Sequence, residues 1–172
     1  MHVLILQGLN HAGTEYACVQ GWGFFDGFHN MSLVQSFKAW KANAVRVPLN
    51  EDCWLGINGV KAQYSGQNYI NNITSYVNTF TEEGFMAILE LHWSAPGSQK
   101  AMGQQPMPDR DHSIDFWKSV AQQFSGNDKF IFELFNEPYP DNNKWNSDEG
   151  WKCWRDGGSC NGVKYQVQRI HI

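Results

Sequence analysis

Strand-like and helix-like segments alternate along this chain, and that order restricts its fold more than any other feature of the sequence. Short apolar segments rich in β-forming residues predict strands, and amphipathic segments between them predict helices. The predicted strands cover residues 3–8, 44–47, 85–91 and 130–135, and the predicted helices cover 32–42, 68–83 and 113–124. Because strict βαβ order implies right-handed crossovers, the expected fold class is α/β, with about four parallel strands and alternating helices.

Local signals mark where two of the predicted helices begin. Ser32 and Gln35 have the spacing of a capping box and predict the start of the first helix. Either Asp111 or Ser113 is expected to cap the third helix.

Polar residues stand where three of the predicted strands end. Arg46 lies at the end of the second strand, His92 follows the third, and Asn136 and Glu137 follow the fourth. Since α/β barrels perform their chemistry at the carboxyl ends of parallel strands, these side chains predict an active site. An Asn-Glu-Pro segment also occurs as an ordinary strand exit, with the amide in a local turn and the acid solvated.

Composition excludes several classes of function. The net charge is −4 and charged residues make up 17% of the 172 residues, which argues against a nucleic-acid partner. No apolar segment reaches transmembrane length, so no membrane partner is expected. The six histidines are scattered without a metal-binding motif, and no metal, cofactor or obligate protein partner is indicated. The eight tryptophans exceed the usual needs of packing and favour a carbohydrate ligand, although any one of them could fill the core.

The chain contains four cysteines, and their spacing predicts two disulfides. Cys153 and Cys160 flank a short flexible loop, whereas Cys18 and Cys53 follow neighbouring strands on a common face. Two disulfides indicate a secreted, extracellular protein. The first residues lack the features of a signal peptide. We therefore expect either that the true N-terminus is missing or that the protein stays inside the cell with free thiols.

Four motifs resemble glycoside hydrolase family 5, in order, from about residue 7 to about residue 166. They are the segments around Asn10 in Gly-Leu-Asn-His-Ala-Gly-Thr-Glu-Tyr, Arg46 in Val-Arg-Val-Pro-Leu-Asn-Glu-Asp-Cys-Trp, His92 in Leu-His-Trp-Ser-Ala-Pro-Gly, and Asn136 in Leu-Phe-Asn-Glu-Pro. The resemblance implies a TIM barrel that hydrolyses O-glycosidic bonds in β-linked glucans with retention of configuration, as an endo-β-1,4-glucanase or cellulase. Its partner would be a polysaccharide or oligosaccharide substrate.

The resemblance also implies roles for individual residues. Glu137 would be the general acid/base, Asn136 would bind the sugar 2-OH, Arg46 would lie beneath the catalytic carboxylates, and His92 would line the cleft. The expected substrate-binding residues are Asn10, Trp54, Trp93 and Trp145.

The length of the chain predicts only part of such a barrel. A complete barrel of this type has ~250 residues, and the fourth predicted strand is followed by few further residues. The nucleophile that the resemblance implies, a glutamate at the end of the seventh strand, is absent. We expect residues 1–172 to form one partial catalytic domain, the truncated N-terminal half of a (β/α)8 barrel, which is inactive alone. The alternatives are an inactive or carbohydrate-binding remnant, or the same chemistry on mannan, xyloglucan or β-1,3-glucan.

The other carboxylates of these motifs receive structural roles. Glu90 and Glu133 are other candidates for the second carboxylate, and both lie mid-strand with the parity of His92 and Glu137, so they should point into the barrel. Each is expected to pair with Arg46 or to pack in an interior layer rather than to attack the sugar. Glu51 and Asp52 are expected to be solvated or at the rim of the cleft.

Overall fold

A computed structural model describes residues 5–140, 146–160 and 163–165, with side chains for 5–140 and 146–157. Its main element is one parallel sheet whose strands follow each other in the order β1-β2-β3-β4. The strands are β1 (Gly8–Asn10), β2 (Ala44–Asn50), β3 (Met86–Trp93) and β4 (Phe130–Glu133). The predicted parallel sheet and its strand order are confirmed.

Helices and short turns connect these strands. The helices are α1 (Ala17–Gln20), α2 (Met31–Ala39), α3 (Glu51–Leu55), α4 (Gln67–Glu82), α5 (Ser113–Gln123) and α6 (Asp148–Asp156), with a 3-10 helix at Ala62–Tyr64. After α6 the chain forms an antiparallel pair, β5 (Gly158–Cys160) and β6 (Val163–Tyr165). Helices α2, α4 and α5 match the three predicted helices within a few residues. No described helix is long and apolar enough to cross a membrane.

The hydrophobic core lies between the helices and one face of the sheet. Alternate strand residues point toward the helices and are fully buried: Val45, Val47, Leu49, Ala87, Leu89 and Leu91. Helix α4 covers them with buried residues at helical spacing, including Ile73, Val77 and Phe80. Because strand side chains alternate between faces, Arg46 and Glu90 are left for the opposite, inner face of the sheet.

The first strand begins later than the sequence suggests. Residues 3 and 4 lie outside the described part of the chain, and β1 starts only at Gly8, where it pairs with Ala44. Asn43 explains the difference: its side chain accepts from the N–H of Gln7 and donates to the carbonyl oxygen of Ile5. The amide side chain therefore replaces part of the strand pairing before Gly8, where the N–H of Asn43 still donates to the carbonyl oxygen of Gln7.

The predicted helix caps are wrong. Asn30 precedes α2 and accepts from the N–H of Ser32, so Ser32 lies inside the helix and does not cap it. Helix α5 begins after His112, and Asp109 accepts from the N–H groups of Asp111 and His112. Asn30 therefore caps α2 two residues before the predicted cap, whereas His112, the residue before α5, makes no side-chain capping bond.

The predicted disulfide between Cys18 and Cys53 is present, with Cα atoms 6.1 Å apart. It ties α1, after the first strand, to α3, after the second, and both cysteines are fully buried. Cys153 is also disulfide-bonded. The side chain of its predicted partner, Cys160, lies outside the described residues.

Candidate active site

An open cleft of about 440 Å³ lies at the carboxyl ends of the four parallel strands. The structure brings to it all four predicted catalytic residues, together with the predicted substrate-binding residues Asn10 and Trp93. The lining residues are Asn10, Ala12, Glu15, Arg46, Pro48, His92, Trp93, Gln104, Asn136 and Glu137.

Arg46 is the charged centre of this cleft. Its guanidinium forms a two-pronged ion pair with Glu133, at 2.7 Å from Nε and 2.8 Å from a terminal nitrogen, and lies 3.1 Å from Glu90. The hydrogen bond to Glu133 and the nearby carboxylates raise the pKa of Arg46 despite its partial burial. Arg46 therefore stays charged and holds both mid-strand carboxylates, as predicted.

Glu90 and His92 form a second pair on the inner face. The carboxylate of Glu90 is fully buried and accepts from Nδ1 of His92. Burial raises the pKa of Glu90, although His92 and Arg46 oppose the shift. Burial lowers the pKa of His92, but the hydrogen bond and charge of Glu90 outweigh it, so the net shift is upward. The pair with Glu90 thus fixes the ring of His92, which lines the cleft.

Asn136 is held in place by three groups. Its side-chain oxygen accepts from Arg46 at 3.0 Å, its side-chain nitrogen donates to Gln104 at 3.0 Å, and its backbone N–H donates to the carbonyl of Leu91 at 3.0 Å. The last bond extends the pairing with β3 beyond the end of β4. With only 6% of its surface exposed, Asn136 is a rigid donor at the cleft floor.

Glu137 lies at the lip of the cleft and is exposed. Its backbone φ is +39°, in the left-handed region that residues other than glycine rarely adopt. Such conformations cost about 1–3 kcal/mol and cluster at functional sites, where the surrounding structure enforces them. The turn directs the carboxyl group away from the line of the strand and toward open space.

Two polar cleft residues, Glu15 and Gln104, were not predicted from the sequence. Glu15 is buried and accepts from the N–H of Gly13 at 2.7 Å, which shapes the loop after β1. The sequence feature that could have identified Glu15 is its position in the first of the four motifs, in the segment Thr-Glu-Tyr. Gln104 lies in the long loop between β3 and α5, where no periodicity or motif marks one polar residue among many.

Trp54 is not a substrate-binding residue, contrary to the prediction. It is 1% exposed and packs in the core against Tyr69, Phe116 and Phe124, with its ring N–H donating to Ser119. The cause is α3, which follows β2 directly because the side chain of Asn50 caps it. Trp145, the fourth predicted substrate-binding residue, lies outside the described residues.

Glu51 and Asp52 are also buried, so the expected rim position is wrong for both. Burial and a hydrogen bond with Asp109 raise the pKa of Glu51 to about 10, and Ser113 donates to it at 2.6 Å. Asp52 accepts from the N–H of Ala101 at 2.8 Å, while burial raises its pKa. Both acids serve to anchor the loop between β3 and α5. Among the described residues, no group of acidic, histidine or cysteine side chains could hold a metal ion.

Known proteins share this fold and parts of this sequence. Endoglucanase gh5-1 of Neurospora crassa is 28% identical over 137 residues, which are 76% of this chain and 32% of that protein. The structure of Pseudomonas stutzeri endoglucanase Cel5A in complex with cellobiose superposes with a TM-score of 0.62 at 14% identity, over 87% of this chain and 43% of that one. XacCel5A in complex with cellopentaose gives a TM-score of 0.58 at 26% identity, over 78% of this chain and 44% of that one. The chain thus spans about a third of the curated relative and less than half of the solved structures.

The parallel sheet, with an open cleft at its carboxyl edge, has the fold of a (β/α)8 barrel, present here as a partial barrel. The cellulase family, glycosyl hydrolase family 5, matches residues 6–161, and the chain belongs to this family. The resemblance expected from the four motifs is confirmed.

Proposed function

We propose that this chain supplies the acid/base half of a retaining endo-β-1,4-glucanase site. The observation that carries the proposal is the convergence of Glu137, Asn136, His92 and Arg46 on one open cleft. In this proposal the attacking carboxylate comes from a residue outside this chain, because the described carboxylates nearest Arg46, those of Glu90 and Glu133, are both engaged by it.

Each residue has a defined part in this reaction. Glu137 donates a proton to the glycosidic oxygen as the bond to the anomeric carbon breaks, and the nucleophilic carboxylate attacks that carbon from the opposite face. In the second step Glu137 takes a proton from the water that releases the sugar, which preserves the configuration. Asn136 donates a hydrogen bond to a sugar hydroxyl. Arg46 stays cationic and fixes the amide of Asn136.

A row of aromatic rings supports a substrate of several sugar units. Trp93 lies in the cleft, Tyr16 stands with its ring 6.3 Å from that of Trp93, and Trp22 lies 6.1 Å further on. We call these three residues the aromatic ledge. Trp22 is 48% exposed, and such rings suit stacking on the apolar faces of sugars. The ledge adds exposed aromatic surface beside Trp93, which favours a polymer over a short glycoside.

The Cys18–Cys53 disulfide supports an extracellular location, since disulfides persist in oxidising compartments. It is consistent with a polymeric substrate, which is met outside the cell. Mannan, xyloglucan and β-1,3-glucan are the other substrates to assay beside soluble cellulose.

A turnover assay on soluble cellulose tests the proposal. The 172-residue chain alone should show no hydrolysis, and its fusion to the C-terminal half of an endoglucanase relative that carries a strand-end glutamate should be active. Glu137→Gln in the fusion should remove nearly the whole rate, because cooperating catalytic groups act as a unit. Hydrolysis by the chain alone that is lost in Glu90→Gln or Glu133→Gln would instead identify one of these carboxylates as the nucleophile.

A carbohydrate-binding remnant is the second candidate, favoured by the engagement of Glu90 and Glu133 with Arg46. It predicts that the chain binds cellotetraose while the fusion stays inactive. Calorimetry on the chain beside the turnover assay separates the two functions.

A further inference from the structure

Gln104 makes the densest set of side-chain contacts to the residues proposed to act on the sugar. Its Oε1 accepts from Nδ2 of Asn136 at 3.0 Å, and its Nε2 donates to the backbone carbonyl of the same residue. The same nitrogen lies 3.4 Å from the carbonyl oxygen of Glu137. One amide side chain thus contacts both residues of the Asn-Glu pair.

These contacts fix which way the amide of Asn136 faces. A primary amide has a donor end and an acceptor end, and a flip exchanges them. Arg46, which can only donate, donates to Oδ1 of Asn136 at 3.0 Å. Oε1 of Gln104, which can only accept, accepts from Nδ2 of Asn136. Partners of opposite kind on the two ends leave a single orientation, in which the second N–H of Asn136 is available to a sugar hydroxyl.

The same residue stabilises the unusual backbone at Glu137. The left-handed φ of +39° turns the peptide groups on either side of Glu137 toward Gln104. Donation from Nε2 to these carbonyl oxygens offsets part of the cost of that conformation. Loss of this donor removes the contact that favours the turn.

The loop that carries Gln104, residues 94–112, is itself held rigidly. Its Ala101 donates its N–H to Asp52 and accepts from the side chain of Asn50, both at 2.8 Å. On the other side, the N–H of Tyr139 donates to the carbonyl of Pro106 at 2.9 Å. Gln104 is therefore anchored to the ends of β2 and β4 at once, and its amide has a fixed position.

We propose that Gln104 is a positioning residue, which orients the amide of Asn136 toward the sugar and holds the turn that presents Glu137. The proposal rests on the proposed function of the cleft. It makes the loop between β3 and α5 part of the site. It also predicts that Gln104 affects sugar binding indirectly, by orienting Asn136.

The first measurement follows the side-chain amide of Asn136 in the labelled 172-residue chain by NMR, with its resonances assigned by Asn136→Asp. In the unaltered chain the proton donated to Gln104 should exchange slowly with solvent. Gln104→Leu removes both acceptor and donor, and exchange should become about ten-fold faster, as expected for the loss of one net hydrogen bond. Unchanged exchange overturns the proposal.

The second measurement is the affinity for cellotetraose of Gln104→Glu, compared with the unaltered chain at about pH 4 and about pH 7. The ionised carboxylate still accepts from Asn136 but has no proton to donate to the two carbonyl oxygens, so affinity should fall about three- to ten-fold near neutral pH. At acid pH the protonated carboxyl group donates again, and affinity should return to that of the unaltered chain.

Gln105→Glu is the matched control, since it adds the same charge one residue further along the chain. Gln105 contacts Gln104 through its backbone carbonyl oxygen, which the substitution keeps. Its affinity should equal that of the unaltered chain at both pH values. An equal loss in Gln104→Glu at both pH values, or the same pH dependence in the control, contradicts positioning by Gln104. If the unaltered chain does not bind cellotetraose, amide exchange alone decides the role of Gln104, whereas inactivity of the fusion contradicts the proposed function.

Discussion

Arg46 stabilises the carboxylates on the inner face of the sheet. Glu90 is fully buried there, and one of its oxygens, Oε2, has no hydrogen-bond partner among the described residues. An ionised carboxylate in such a place depends on an opposite charge close by. The guanidinium of Arg46 supplies that charge to Glu90 and at the same time forms two hydrogen bonds to Glu133.

Arg46→Met should therefore destabilise the chain by about 3 kcal/mol near pH 7, at the lower end of the range for breaking a buried pair because Glu133 is partly exposed. Near pH 4 the loss should shrink, since burial raises the pKa of Glu90 and its carboxyl group can protonate. Urea unfolding at the two pH values measures it. Arg46→Lys keeps the charge but not the two-pronged geometry, and should lose less. An equal loss for Arg46→Met at both pH values would contradict the charge argument.

The ion pairs of Arg46 could be predicted from the sequence because strand parity and strand order determine them. Parity places Glu90 and Glu133 on the face of Arg46, and adjacent parallel strands bring that face together. The contacts of Gln104 could not be predicted in this way. It lies in an aperiodic loop, and its position depends on buried partners such as Asp52, whose own burial the sequence did not indicate.

Helix α1 and its flanking residues carry two of the three rings of the aromatic ledge. Tyr16 precedes the helix and Trp22 follows it, and the Cys18–Cys53 disulfide holds the helix between them. The hydroxyl of Tyr16 donates to Asp26 at 2.6 Å, a bond that raises the pKa of Tyr16 to about 12 and keeps it neutral. The ring N–H of Trp22 donates to Gln20 at 3.0 Å. The disulfide and these two hydrogen bonds thus hold Tyr16 and Trp22 of the aromatic ledge in place.

Trp22→Ala should weaken binding of long β-glucan oligosaccharides by roughly ten-fold, because it removes a stacking surface. Binding of cellobiose should not change if the short sugar occupies only the cleft near Glu137. Calorimetry with a series of chain lengths measures the difference. Trp40→Ala is the control, since Trp40 is 70% exposed but ends α2 just before β2 begins, at the opposite end of the sheet. Equal losses for all chain lengths would argue against the ledge.

The disulfide itself should contribute much of the stability of this region. The bonded cysteines are 35 residues apart, and closing a loop of that length in the unfolded chain corresponds to about 3–4 kcal/mol in the chain-entropy model. Cys18→Ala combined with Cys53→Ala should lower the free energy of unfolding by about that amount, as measured by urea denaturation. A loss well below 1 kcal/mol would show that the segments are held together without the bond.

At the level of elements, the periodic helices and the sheet followed from the sequence, whereas the short helix α3 did not. A β-strand that passes into a helix without a loop gives no turn signal, since Asn50 both ends β2 and caps α3. Because α3 begins directly after β2, Glu51, Asp52 and Trp54 are buried and do not lie at the rim, where a loop would have placed them.

At the scale of the whole molecule, burial raises the pKa values of three acids in the part of the chain that the structure describes. Burial raises the pKa of Glu51 to about 10 and also raises the pKa values of Asp52 and Glu90. The net shift of His92 is upward as well. All four groups therefore bind protons more tightly in the folded chain than in the unfolded chain. Their effects on stability have the same sign.

These four groups should make the stability fall as the pH rises, whereas His11, whose pKa burial lowers, acts in the opposite direction. Above the ordinary pKa of glutamate the unfolded chain releases protons that the folded chain retains, so the free energy of unfolding decreases with pH, by up to about 1.4 kcal/mol per pH unit for each such group. The contribution of His92 is complete below its ordinary pKa of 6.5 and is lost as the pH rises through its raised value. Urea unfolding between about pH 5 and pH 8 should show a falling stability. Glu51→Gln, which keeps an amide in the contact with Ser113, should flatten that slope, whereas Glu149→Gln on exposed helix α6 should leave it unchanged. A stability that rises with pH over this range would contradict the assignment of Glu51 as a protonated acid in the folded chain.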